Sequence, residues 1–252
     1  MQTVPMLPDE HREPLSPTLQ LIVSPQHRFN TDTILLAWFS SPKHKDTCCD
    51  FGTGCGTIPL LWESRFQPKQ TYALEIQDNA FSMASRSVLL NGLTDRITIL
   101  QGDIKQVPQR SEPVFQEGFD VIACNPPYKE LGTGFVNPDS SKAIARHEQE
   151  CTMEDICKSA YKALRYGGRF CICQRPQRLA EIMMLLSRNG LEPKRLRLVQ
   201  QRPDKAPSLF LLESKKGGRS GLTVEPTLFI EDADGDFSGE MKEVYGTYKY
   251  KD

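Results

Sequence analysis

Two kinds of segment alternate along this chain. Short runs of apolar and β-branched residues at 47–51, 71–76, 97–100, 119–124, 169–173, 195–199 and 208–212 have the length of strands. Stretches of helical period lie between them. Residues 78–90 put Phe81, Ala84 and Val88 on one face and stop at Asn91-Gly92, and residues 177–188 do the same with Leu179, Ile182, Met183 and Leu186 before Asn189-Gly190. Residues 152–165 open with Thr152 three positions ahead of Asp155 and close at Gly167-Gly168. Strands separated by helices predict a parallel sheet covered on both faces. The last two strands have only 200–207 between them, too little for a crossover helix, so they form an antiparallel hairpin at the edge. The expected fold is α/β, a doubly wound, mostly parallel sheet of seven strands that binds ligands at the strands' carboxyl ends.

The flanks lack this alternation. Residues 1–28 are rich in proline and read as an irregular arm, residues 29–230 as the domain, and residues 231–252 as a loosely ordered acidic tail. A length of 252 residues suits one α/β domain with small additions. Balanced charge, 31 Lys and Arg against 32 Asp and Glu, leaves no overall attraction to nucleic acid, so any basic surface must be local. The eight cysteines sit mostly in apolar runs without a Cys-x-x-Cys pair, as buried thiols of a reducing compartment do. His44 with Cys48 or Cys49 does not have the spacing of a zinc site, and no metal is expected. No signal segment or long apolar run is present, so the expectation is a cytoplasmic protein without a membrane span.

The chemistry-bearing residues cluster at the strand ends. The first strand runs into Asp50-Phe51-Gly52-Thr53-Gly54-Cys55-Gly56, a D-x-G-x-G-x-G turn that opens a helix with Pro59 in its first turn. A dinucleotide fingerprint would need glycine where Thr57 stands. The second strand ends at Glu75, suited to accept hydrogen bonds from a ribose, and the third in Gln101-Gly102-Asp103-Ile104. Singly, each acid could be a solvated strand end or a helix cap, as Asp78 reads. Together they disfavour phosphate and suit a sugar, an adenine amine and a positive centre, which S-adenosylmethionine combines. Glu75 would meet its ribose, Asp103 its adenine amine and Asp50 its methionine end.

The fourth strand stops in Asn125-Pro126-Pro127-Tyr128. The plain reading is a tight exit from a sheet. Beside a methyl donor the segment has another use. Each proline disfavours helix in the residue before it, and Pro127 has no N–H, so the Pro126 carbonyl is left without a local donor. The Asn125 amide oxygen and that carbonyl can then accept both hydrogens of an exocyclic amine, favouring a pyramidal nitrogen with a directed lone pair. Tyr128 offers a stacking face for the base.

Asp50–Gly56, Glu75, Asp103 and Asn125–Tyr128, in this order, resemble the class I S-adenosylmethionine-dependent methyltransferases that act on an exocyclic or side-chain amide nitrogen. The segment from Phe29 to Phe39, Ala145-Arg146-His147-Glu148, Arg175-Pro176 and Glu213–Gly218 are similar to the bacterial adenine-N6 methyltransferases that modify the adenine 3′ of the valine tRNA anticodon. The resemblance spans roughly residues 19–230. It implies a Rossmann-like fold, S-adenosylmethionine bound by Asp50, Gly52, Gly54, Gly56, Glu75, Asp103, Ile104 and Asn125, catalysis by Asn125, Pro126, Pro127 and Tyr128, and a tRNA substrate. Asn30 and Thr31 depart from the serine-rich form of that family before Asp32, which leaves the role of this helix start open.

The same Asn-Pro-Pro-Tyr chemistry serves protein glutamine methyltransferases and ribosomal RNA guanine-N2 enzymes. The former carry a sizeable helical N-terminal domain, and 28 residues precede Phe29 here. A non-enzymatic S-adenosylmethionine-binding RNA scaffold would need neither Asn125 nor Tyr128. For RNA contact the candidates are Arg146, Arg175, Arg195, Arg197, Lys215, Lys216 and Arg219. Arg195 and Arg197 alternate with leucines and so share one strand face, and both this element and Lys215–Arg219 are expected to flank the Asn125 mouth. The plain alternative is that these are solvated charges protecting a sheet edge. A monomer is expected.

Overall fold

The structure, a computed structural model, describes residues 3–127 and 151–246. The expected sheet is present. Its main strands are β3 (Thr47–Phe51), β4 (Gln70–Glu75), β5 (Ile97–Gln101), β6 (Phe119–Cys124), β7 (Leu164–Gln174), β8 (Leu191–Gln200) and β9 (Leu209–Lys216). They lie in the order β8-β9-β7-β6-β3-β4-β5, all parallel except β9. Two short strands, β10 (Thr223–Val224) and β11 (Leu228–Phe229), pair beyond β8 and bring the sheet to nine. The chain turns one way from β3 to β4 and β5 and the other way to β6 and β7, so the crevice between β3 and β6 is the switch point where ligands bind.

Helices α1 (Thr31–Ser40), α2 (Thr57–Arg65), α3 (Asp78–Leu90), α4 (Pro113–Glu117), α5 (Met153–Ala163) and α6 (Leu179–Arg188) are found among the described residues. One core lies on the α1 and α2 face, around Leu35, Phe39 and Trp62, and a second on the α5 and α6 face, around Phe51, Phe119 and Phe170. The reciprocal Thr152–Asp155 capping box starts α5 as expected. The helix ends earlier than its pattern suggested, because Leu164 already pairs with Phe119 and the chain enters β7 without a loop. Asp78 is the first helical residue rather than the cap, and its carboxylate takes a bond from the Gln101 amide.

Both flanks depart from expectation. The N-terminal segment is not irregular: β1 (His11–Pro14) and β2 (Gln20–Val23) form an antiparallel hairpin whose Leu21, Ile22 and Val23 are fully buried. Ser87 and Asn91 of the α3 region accept from the Ile22 and Gln20 amides, and Arg86 makes a paired bond to Glu10. The acidic C-terminal segment also folds back, as helix α7 (Gly239–Tyr245), with Met241 and Val244 in the core and the Tyr245 hydroxyl 2.8 Å from that of Thr31. Among the described residues no helix is long and apolar enough to cross a membrane.

Candidate active site

Continuations of four parallel strands line one cavity of about 840 Å³. Phe51, Gly52 and Gly54 come from the β3 turn, Glu75, Ile76 and Gln77 from β4, Gly102, Asp103 and Ile104 from β5, and Asn125, Pro126 and Pro127 from β6. Met153, Ile156 and Leu185 give it an apolar wall, and Gln26 and His27, beyond the N-terminal hairpin, also line it. This volume suits a small-molecule cofactor site.

Gly52 and Gly54 have φ of +73° and +58°, and a Cβ on either would project into open space. Their use is a bare backbone cradle that a ligand can approach closely. Gly56 differs from them, because a Cβ there would meet that of Ala84 in α3 at 3.3 Å; this glycine, read as cofactor-binding, serves helix packing and does not line the cavity.

The acids hold distinct positions. Glu75, 4% exposed, accepts from the Gly54 amide at 2.8 Å through one oxygen and from the Ile76 and Gln77 amides at 2.9 Å through the other. It therefore sets the shape of the glycine turn as well as facing the cavity. Asp103 lines the cavity while accepting from the Lys105 amide at 2.8 Å. Asp50 does not line it. Its carboxylate is 1% exposed, neither oxygen has a partner among the described residues, and the buried Thr53 hydroxyl has none either. Burial pushes the Asp50 carboxyl up to about 7; the neighbouring Thr53 hydroxyl, beyond strict hydrogen-bond geometry, draws it down in part, and the Glu75 charge adds to the rise.

Asn125 is held from both sides. Its Nδ2 donates to the Thr33 hydroxyl at 2.9 Å, and the Cys173 thiol donates to its Oδ1 at 3.0 Å. Tyr128 and Arg146-His147-Glu148 lie outside the described residues. Sequence reasoning missed Ile76, which is 45% exposed at the cavity; a β-branched residue directly after a strand-terminal acid was its signal. Thr33 and Cys173 were missed as neighbours of Asn125, and nothing local marks them.

The basic residues separate. Arg175 directly follows β7 and is exposed, with its guanidinium donating to the Ser208 carbonyl. Arg195 and Arg197 share a strand face as expected, but that face turns inward. Arg195 lies 4.0 Å over the Phe39 ring and pairs with Glu213 and Glu225, while Arg197, 8% exposed, lies over Trp38 and pairs with Glu240. They staple β8 to α1 and α7, and their charges are already neutralised. Lys215, Lys216 and Arg219 do not flank Asn125. Cys124 is level with Ile172 and Leu212, whereas Lys215 pairs with Arg169, three residues toward the amino ends of the parallel strands and roughly 10 Å back. Lys216 is further engaged, donating to the Leu164 carbonyl beside the Tyr161 ring.

Known proteins share this chain's sequence pattern and fold. Residues 26–189 match the methyltransferase small domain family, and the chain belongs to it. It is 31% identical to the tRNA1(Val) (adenine(37)-N6)-methyltransferase of Porphyromonas gingivalis, covering 84% of this chain and 85% of that one. It is 28% identical to the protein of the same name from Bacteroides thetaiotaomicron, over 88% and 90% of the two chains. A protein of Agrobacterium tumefaciens solved as a predicted O-methyltransferase has the same fold, with a TM-score of 0.66 at 22% identity over 85% of this chain and 95% of that one.

Proposed function

We propose that this member of the methyltransferase small domain family is an S-adenosylmethionine-dependent enzyme that methylates the exocyclic N6 amine of adenine 37 in tRNA1(Val), the reaction for which its curated relatives are named. The observation that carries the reading is that Asn125-Pro126-Pro127 lines the same cavity as the glycine cradle and Glu75. When bound, the cofactor supplies a methyl group on a positively charged sulfur.

The residues fit that group. Glu75 accepts from the ribose hydroxyls, Asp103 from the adenine amine, and Ile76, Met153 and Ile156 offer apolar surface to the adenine ring. Asp50, which is buried and does not line the cavity, would complement the positive methionine end through its charge rather than by contact. Asn125 Oδ1 and the Pro126 carbonyl accept the two hydrogens of the target amine and hold its lone pair toward the methyl group, a contribution of positioning rather than of base catalysis. Tyr128 stacks on the base after it leaves the anticodon loop. Arg175 and Arg146 are assigned to contact the RNA backbone. A tRNA substrate sets the cytoplasm as the working compartment.

The test is to incubate the protein with a tRNA1(Val) transcript and methyl-labelled cofactor and to analyse the digested nucleosides by mass spectrometry. Labelled N6-methyladenosine is expected, and it should vanish when adenine 37 is replaced by guanine. Labelled N2-methylguanosine, or label only on a glutamine-containing protein substrate, would overturn the assignment.

A further inference from the structure

The start of α1 touches Asn125 through the Thr33 hydroxyl. We propose that the Thr33 hydroxyl, itself directed by the Asn30 cap, is a positioning residue that selects the orientation of the Asn125 amide, so that its oxygen rather than its nitrogen meets the target amine. This deepens the amine-methylation reading and rests on it.

A backbone group fixes the polarity of the chain of bonds. The Thr33 backbone N–H can only donate, and it does so to the Asn30 side chain at 3.0 Å, which makes the accepting atom an oxygen. The Thr33 hydroxyl lies 3.0 Å from that same oxygen, so its proton points there. The hydroxyl's lone pairs are thereby turned to Asn125, 2.9 Å away, and that neighbour must present N–H. The Asn125 oxygen is left on the other side, 3.0 Å from the Cys173 sulfur. A thiol is a weak donor, so an amine N–H competes well for the oxygen's acceptor capacity. Flipping the amide would set its oxygen against the Thr33 lone pairs and its NH2 against the thiol. The order of donors, from Cys173 through Asn125 and Thr33 to Asn30, is thus set by the first turn of a helix. Thr31 in that turn is anchored in its own right by Tyr245.

Thr33→Val keeps the shape and removes the hydroxyl; Thr33→Ser keeps the hydroxyl. Asn30→Ala removes the acceptor that orients it, and Asn30→Asp retains both the acceptor and the cap. With wild type first shown to form N6-methyladenosine in tRNA, kcat and KM for tRNA, cofactor affinity and melting temperature would be measured for all four. Thr33→Val should lower kcat about tenfold or more, the effect of losing one hydrogen bond in the transition state. Cofactor affinity and KM should stay within about twofold, and Thr33→Ser should restore most of kcat. Asn30→Ala should lower kcat in the same way and Asn30→Asp should not, which keeps the test open if Thr33→Val folds poorly. Wild-type kcat in both Thr33→Val and Asn30→Ala, or a loss in Thr33→Val that Thr33→Ser fails to rescue, overturns the proposal. Failure of wild type to form N6-methyladenosine overturns the functional reading instead.

Discussion

Glu75 offers the sharpest test of the cofactor site, because its carboxylate holds three backbone N–H groups with two oxygens. Glu75→Gln keeps the volume and takes away one acceptor. The remaining oxygen can serve Ile76 and Gln77 or Gly54, but not both, and the new NH2 then faces a backbone donor. If the oxygen stays with the pair, the Gly54 amide loses its partner and the glycine turn is released. The direct loss to a cofactor is a charge-assisted bond to the ribose, about 1.5 kcal/mol or more, and releasing the cradle costs about as much again. Together these give about 3 kcal/mol, a weakening of roughly a hundredfold. Stability should suffer less, because Ile76 and Gln77 are exposed enough for water to replace what they lose. Titration calorimetry with S-adenosylmethionine or its demethylated product, alongside a thermal melt, separates the two effects. A folded Glu75→Gln protein that binds within twofold of wild type would refute both the ribose contact and the coupling of Glu75 to the turn.

Four further outcomes follow from the geometry. Asp50 has a folded pKa of about 7, above the ordinary carboxylate value, so the stability linked to it is present at low pH and lost as pH rises through about 7. Asp50→Asn should therefore raise the melting temperature at pH 8 and do little at pH 4, with a linked free energy of order 4 kcal/mol at most, while weakening cofactor binding; a melting temperature unchanged at pH 8 would refute this. Asn125→Ala should keep cofactor affinity by calorimetry and lose most turnover, and near wild-type methylation would return the segment to the status of a turn. Arg197→Ala should lower stability by about 2–4 kcal/mol in chemical denaturation, since it strands the half-buried Glu240 and uncovers Trp38, and should leave the salt dependence of tRNA binding alone. Arg175→Ala should reduce the slope of log affinity against log salt by about one unit, whereas replacing Lys215 and Arg219 together, set back toward the amino ends of the parallel strands, should leave it within error.

The sequence alone was enough for the sheet, for most of its strands and for which polar residues stand at their ends. Strand length, helical period and capping signals are local, and a parallel α/β sheet brings successive strand ends to one edge whatever else the chain does. Gly52, Gly54, Glu75, Asp103 and Asn125 therefore met where expected. The two flanks depart from expectation for a local reason as well: prolines punctuate the first and acids recur through the second, and the short buried run at Leu21–Val23 and the apolar stripe of Met241 and Val244 are easily lost among them. What no local pattern contains is the partner of a charge. Arg195 and Arg197 look like surface charges until α1 and the returning C-terminal helix supply rings and carboxylates against them. Lys215 and Lys216 look close to the active site in motif order, but an antiparallel strand carries them away from it. The orientation of Asn125 likewise depends on Thr33, 92 residues away, because a side-chain amide takes its direction from whatever donors and acceptors the fold packs around it.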